Sequence, residues 1–483
     1  MNISKEPETS GWFWFSFVLS GLFWTVVLGL WFTVGMPFQI TERVPGEDGE
    51  PVEFAAQSAA SLNIGEFFLT FDGIPSSISG SWPNFRGGNF DNISLDKTQL
   101  RDFTDGMELP VLWSLVLGEG HAAPAVHNGR VYLLDYDEEE SADALRCFSL
   151  DDGKEIWRRW YTIKTKRNHG MSRTVPAVTD SVVMTIGPRC HVMSTHAVTG
   201  ELLWGIDLVN EYGTEEPLWY TGQCPLIDDT VAVIAPAGSK ALMIGVHLMT
   251  GEVLWETPNK HNWKMSHSSV MPMRFGGRSI YLYCANGGIA GVAADGDDRG
   301  SVLFETNEFN QSVVAPSPVV LSGGRIFMTA GYGGGSIMLQ VSHNDGSFSI
   351  STIKRYGVKE ALAAEQQTPV YYGGHLYAVL PKDAGVYREQ FVCVDEKDVS
   401  SFNWTSGPEN RFGLGPFLIV GNKFFILSDN GSLTVADVSS RRFERKATIK
   451  IMDGIDAWGP MALVSGRLLL RDSKRIFCVD LRR

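Results

Sequence analysis

The chain has 483 residues, of which 44% are hydrophobic and 20% charged, with a formal net charge of −14. So little charge excludes a coiled coil or a disordered chain, and the acidic balance excludes a nucleic-acid binder, which needs a concentrated basic face. The 51 glycines and 27 phenylalanines point instead to many short strands joined by turns. Two basic stretches, Lys154 to Arg173 and Arg441 to Lys450, read as solvated loops.

In chain order, residues 1–10 form a short polar tail, and from Gly11 to Ile40 no residue is charged. At about 1.5 Å rise per residue such a run exceeds the roughly 30 Å hydrocarbon core, so the sequence predicts a transmembrane helix over 11–40. Trp12, Trp14, Trp24 and Trp31 are its expected membrane-anchoring aromatics. A cleaved secretory signal is the competing reading, but its apolar region is usually about half this length, and the first small-residue site, Ser58-Ala59-Ala60, lies well beyond the run. Lys5 precedes the run, while Glu42, Glu47, Asp48, Glu50 and Glu53 follow it. This places the N-terminus in the cytoplasm and the bulk of the chain outside. Residues 41–108 read as an acidic tether and lead-in. Its apolar patch Phe67-Phe68-Leu69-Thr70-Phe71 is expected to dock on a partner or on the following domain.

From residue 109 onward the chain repeats itself. Pro124, Pro176, Pro225, Pro272, Pro318, Pro369, Pro416 and Pro460 recur every 44 to 52 residues, each just before a short apolar run such as Ala125-Val126 or Val319-Val320. Proline at a strand start loses no ladder bond. A glycine or polar turn and a second strand follow, as in Asn128-Gly129 before Arg130-Val131-Tyr132-Leu133. The units close with Gly153-Lys154-Glu155-Ile156-Trp157, Gly200-Glu201-Leu202-Leu203-Trp204 and Gly251-Glu252-Val253-Leu254-Trp255, in which the aromatic should pack on the neighbouring sheet. Four strands per repeat at this period predict an all-β, eight-bladed propeller over 109–483. The eighth unit ends at Leu481 without its outer strand, and Leu109 to Leu115 supplies one, so the N-terminal segment is expected to close the ring.

The Gly-Glu-Val-Leu-Trp unit resembles the PQQ-like, quinoprotein-type propeller repeat, and Trp82-Pro83-Asn84-Phe85-Arg86-Gly87 resembles a lead-in found before such propellers in exported bacterial proteins. In character the chain resembles the non-enzymatic outer-membrane assembly lipoprotein B type. That resemblance implies a non-catalytic scaffold or accessory subunit without cofactor. It would contact membrane lipid through the helix, and other membrane or periplasmic protein subunits on the periplasmic side of an inner-membrane complex or in envelope assembly. The alternative is an atypical oxidoreductase with PQQ and Ca²⁺ in the channel. The dehydrogenases of this family have adjacent cysteines beside the cofactor, and here Cys147, Cys190, Cys224, Cys284, Cys393 and Cys478 are all isolated and expected to be buried thiols. The assembly lipoprotein carries a lipidated cysteine after its signal, and here the first cysteine is Cys147, so an inner-membrane anchor is the expectation.

No catalytic or metal-binding set stands out. The loops before each first strand should converge on one channel mouth, with His121, Arg173, Gln223, His267, Gln366 and Trp458 as candidate ligand-binding residues, or merely a wet rim. Arg158, Arg159, Trp160 and Tyr161, mixing cations and aromatics on an outer strand, are the candidate partner contact.

Overall fold

The computed structural model describes residues 11–33 and 62–483; the expected tail 1–10, residues 34–40 of the expected span and residues 41–61 of the tether lie outside the described residues. Gly11–Thr33 is one α-helix. Its side chains, Phe17, Leu22, Phe23, Trp24 and Trp31 among them, are exposed. Trp12 and Trp14 fall on the same helix. Among the described residues, no helix is long and apolar enough to cross a membrane.

The remainder is an eight-bladed propeller, with each blade built on four antiparallel strands. Blade 1 runs through Ala125–His127, Arg130–Asp137, Ala142–Ser149 and Glu155–Thr162, from channel to rim. Blades 2 to 7 repeat the pattern, beginning at Ala177, Leu226, Met271, Val319, Val370 and Phe417. Each inner strand begins beside one of the recurring prolines, where no ladder N–H is needed. Blade 8 takes Ala462–Val464, Arg467–Arg471 and Arg475–Asp480 from the C-terminus, and Val111–Val116 as its outer strand. The ring therefore closes through the N-terminal strand and leaves no open edge between first and last blades.

A register shift between third and fourth strands recurs in all eight blades, and in six of them it adjoins an outer-strand aromatic paired with a small residue. The outer-strand aromatics Trp113, Trp157, Trp204, Trp255, Phe304 and Trp404 stand opposite Cys478, Cys147, Ser194, Gly245, Gly291 and Cys393. Each partner is small because the ring lies over it; a Cβ on Gly245 would come within 2.1 Å of the Trp255 ring. The extra residue after each pair is a β-bulge, which adds twist where the aromatic leans towards the next blade. There the ring meets a glycine turn: Trp113 on Gly153, Trp157 on Gly200, Trp204 on Gly251 and Trp255 on Gly300. The indole N–H of Trp113 donates to the Leu150 carbonyl at 3.0 Å, and that of Trp404 to Ser439 at 2.9 Å. All six cysteines are free and buried, three of them in the small position under an indole.

Residues 62–108 do not hang free of the propeller. Phe67–Thr70 pairs with Trp157–Trp160 as a fifth strand outside blade 1. Ser81–Trp82 pairs with Val126–His127 on the channel side of the same blade, and Ile93–Ser94 lies parallel to Ile419–Val420 of blade 7. Trp82 and Phe103 are buried in the core shared by blades 7, 8 and 1.

Candidate functional site

The loops entering the inner strands meet around a central cavity of about 80 Å³. It is lined by His121 before blade 1, Arg173 before blade 2, Cys224 before blade 3, His267 before blade 4, Gln366 and Gln367 before blade 6, and Trp458 before blade 8. Phe85 and Trp219 complete the polar and aromatic wall.

Phe85 arrives with the lead-in, which crosses the centre of the ring. The Pro83 carbonyl accepts from Val178 N–H of blade 2 at 2.9 Å. On the other side of the channel, the fully buried Arg86 guanidinium donates to the Thr368 and Pro369 carbonyls at 3.0 and 3.1 Å, and to Phe90 of its own loop at 2.8 Å. Burial lowers its pKa to about 10, with Asp91 acting in the opposite direction. Arg86 reaches those carbonyls from a left-handed backbone conformation, φ 67°, which a non-glycine residue holds only when its surroundings fix it. Asn92 then donates to the Phe417 carbonyl at 3.1 Å and leads the chain out along blade 7.

His121 stacks on Trp458 with ring centroids 3.5 Å apart, and the Arg173 guanidinium lies 6.0 Å from the same indole. Burial, then the charges of Arg471 and Arg173, lower the His121 pKa to about 2; the ring is neutral and its buried Nδ1 has no partner. Burial and Arg173 likewise lower His267 to about 4. Behind the mouth, Arg471 is fully buried and donates to carbonyls of Gly118, Ala122, Asp472 and Ser473, which ties blade 8 to the entry of blade 1. Arg173 is held by one nitrogen, Nη2, which donates to the carbonyls of Asn168, His169 and Gly170 at 2.8, 2.9 and 3.2 Å. Trp219 and Tyr332, with ring centroids 5.4 Å apart, flank the opening beside His267, both on left-handed backbone.

Five of the six expected mouth residues thus share one cavity. Gln223 does not: it is fully buried, its amide donates to the Ala235 carbonyl at 3.0 Å, and its Oε1 accepts from Ala235 N–H at 2.9 Å. It serves unpaired backbone of blade 3 instead of the channel. Phe85, Trp219 and Tyr332 were not expected at the mouth. The adjacent aromatics Trp219-Tyr220 before Pro225 were the available signal for one of them.

The expected partner contact on blade 1 is already occupied within the chain. Trp160 stacks on Phe67 at 5.6 Å. Arg159 lies 4.6 Å from the Phe68 ring centre and donates to the Gly65 and Gly200 carbonyls, each at 2.6 Å. Arg158 is forked on Glu155 at 2.8 and 2.9 Å. Tyr161 is buried and donates to Asp143 at 2.8 Å. The covering strand presents the new edge, with Phe67, Leu69 and Phe71 exposed.

Among solved structures the fold is similar to BamB from Moraxella catarrhalis, at a TM-score of 0.51 and 10% identity, covering 77% of this chain and 99% of that one. It is similar to a europium-containing methanol dehydrogenase, at 0.53 and 10%, covering 82% and 89%. It is also similar to the computationally designed Ika8 protein, at 0.50 and 10%, covering 76% and 99%. At such identity these likenesses show the propeller fold alone. No curated protein sequence matches the chain. The family described as outer membrane protein assembly factor BamB matches residues 141–406, more than half of the sequence, and the chain belongs to this PQQ-like propeller family.

Proposed function

We propose that this protein is a non-catalytic propeller scaffold or accessory subunit. In this reading it is anchored by its N-terminal helix in the inner membrane and holds protein partners on the periplasmic side or in envelope assembly. The observation that carries it is the lead-in through the channel: the place where a propeller of this kind would house a cofactor is crossed by Trp82 to Arg86 and tied to blade 6. The family description, an assembly factor, supports the same class of role. Support for the anchor is the absence of charge from Gly11 to Ile40 and the exposed apolar side chains of the helix.

The residues do not fit PQQ with Ca²⁺. The lining of the cavity contains no carboxylate, and among the described residues no three His, Cys, Asp or Glu side chains converge as a metal site. A cavity of about 80 Å³ is also well below the roughly 300–1,000 Å³ of small-molecule sites. Cys224, the one thiol on the wall, is raised to about 11 by burial, so it is not a thiolate nucleophile at neutral pH.

The test is purification of the full-length protein from its native membrane in mild detergent, with mass spectrometry for co-purifying subunits and absorbance for quinone. Stoichiometric protein partners without quinone are the expected result; a solitary protein carrying PQQ overturns the scaffold reading. Deleting residues 1–40 should move the protein to the soluble fraction, and retention on membranes would refute the anchor.

A further inference from the structure

The Arg173 side chain is half-buried at the channel mouth, with part of its guanidinium sealed off from solvent. Its Nη2 is used by three carbonyls, but its Nε is buried without an acceptor, and no acceptor is found for Nη1 among the described residues. Among the described residues no carboxylate pairs with it, and the groups acting favourably on its charge are the phenols of Tyr332 and Tyr220. Glu365, next to Gln366 in sequence, is not on the cavity wall and accepts from Lys382 N–H. A buried charged donor left without an acceptor is costly, and native structures place an acceptor there.

The surroundings reinforce the same demand. The cavity wall bears Arg173 and no acidic residue, and Arg471 adds a second positive charge behind His121. Trp458, Trp219 and His121 give flat, low-dielectric walls, where a charge pair is stronger than in water. The space of about 80 Å³ admits one small planar group on a slim stem, not a multi-ring molecule.

We infer that the channel mouth is a carboxylate-binding site, in which Arg173 pairs with a single carboxylate held between the Trp458 and Trp219 sides of the cavity. The carboxylate belongs either to a free small acid such as acetate or to an aspartate or glutamate side chain reaching in from another polypeptide. The site stands independently of the scaffold reading, since a free acid would occupy it whether or not the propeller holds partners.

The experiment titrates the full-length protein in mild detergent with two matched pairs of probes, following tryptophan emission and heat. One pair is acetate and acetamide; the other is a blocked Gly-Glu-Gly peptide and its Gly-Gln-Gly counterpart. The carboxylate of at least one pair should bind saturably and about tenfold or more tighter than its amide, a difference of about 1.4 kcal/mol. Arg173→Gln should abolish that preference, Arg173→Lys should reduce it, and Arg445→Gln on the distant outer strand of blade 7 should leave it unchanged. Preference for acetate with no gain from the peptide identifies a free acid. A glutamate peptide about tenfold tighter than acetate identifies a polypeptide side chain. Equal binding of acid and amide in both pairs, or flat titrations of the wild-type protein with all four probes, overturns the inference without recourse to any variant.

Discussion

The indole of Trp204 in blade 2 rests on Gly251 of blade 3, and its N–H donates to the Leu248 carbonyl at 2.8 Å. One side chain thereby joins the outer strand of one blade to the turn of the next. A Cβ at Gly251 would meet Trp204 Cγ at 2.7 Å, and the φ of +75° disfavours any other residue there.

Trp204→Ala should therefore lower stability by about 3–5 kcal/mol, as buried aromatic truncations do. Gly251→Ala should lower it by more than about 1 kcal/mol through backbone strain and the displaced indole. Urea unfolding of both variants is the measurement; a cost below about 0.5 kcal/mol for Trp204→Ala would contradict its place between blades.

Arg86→Met should destabilise the protein by about 3–5 kcal/mol, because it strands the buried Thr368 and Pro369 carbonyls while removing the charge that serves them. Thermal unfolding checks the magnitude. Hydrogen exchange should show lost protection at Asn92–Ser94 and at the start of blade 6, and unchanged exchange there would contradict the tie across the channel.

The fifth strand of blade 1 is held on its inner side by Arg159. Arg159→Ala removes the bonds to Gly65 and Gly200 and the contact with the Phe68 ring, with an expected local cost of about 1–3 kcal/mol. Amides of Phe67–Phe71 should exchange faster, while Arg130–Asp137 keeps its protection. Equal loosening of both segments would mean that the strand is integral to the blade.

Asp143 is buried between blades 1 and 2 with Tyr161 as donor and one orphaned oxygen; burial raises its pKa to about 7. The folded protein therefore favours the protonated acid. That contribution is fully present below the ordinary carboxylate pKa of about 3.9 and is lost as pH rises to about 7, a difference on the order of 4 kcal/mol. His191, 3.2 Å from the Tyr161 hydroxyl, is lowered to about 4 by burial, so its contribution runs the other way and is lost as pH falls below about 6.5. The buried histidines His121, His191 and His267 offset the Asp143 effect as pH approaches 6.5, so the comparison with a variant isolates it. From pH 8.5 down to 6.5 the wild type should gain stability relative to Asp143→Asn, and the variant should be the more stable protein at pH 8.5. A pH profile identical to wild type would show that Asp143 ionises normally.

The sequence made the ring legible because its period is carried by residues with a strict steric duty. A proline stands at or near the start of each inner strand, a glycine turn receives Trp113, Trp157, Trp204 and Trp255, and cysteine, serine or glycine lies opposite six of the outer-strand aromatics. Cys147, Cys393 and Cys478 could be recognised as occupants of one position, although the bulge beside that position is not visible in a string of letters. Mouth residues were legible to the extent that they precede the prolines. Gln223 failed because adjacent loop side chains can point to channel or core, and the unpaired backbone of Ala235 decided in favour of the core. The docking of the Phe67–Phe71 patch on the propeller was one of two expected outcomes, but the blade it joins and the course of Trp82–Arg86 were not legible, since no local pattern encodes partners so distant in sequence.

The lead-in also imposes an order of events on synthesis. Arg86 waits for Thr368, 282 residues later, and Asp96 accepts from Gly466 N–H across 370 residues. The outer strand Val111–Val116 likewise finds no sheet until Arg475–Asp480 has been made. Phe67–Thr70 and Ser81–Trp82 can pair once blade 1 is made, but Arg86, Asp96 and Val111–Val116 stay unseated until the late blades appear, and through most of translation that strand edge is unprotected. A chain that stops short of Arg475–Asp480 loses more than the C-terminal part of the eighth blade: Val111–Val116, made long before it, is left without a sheet.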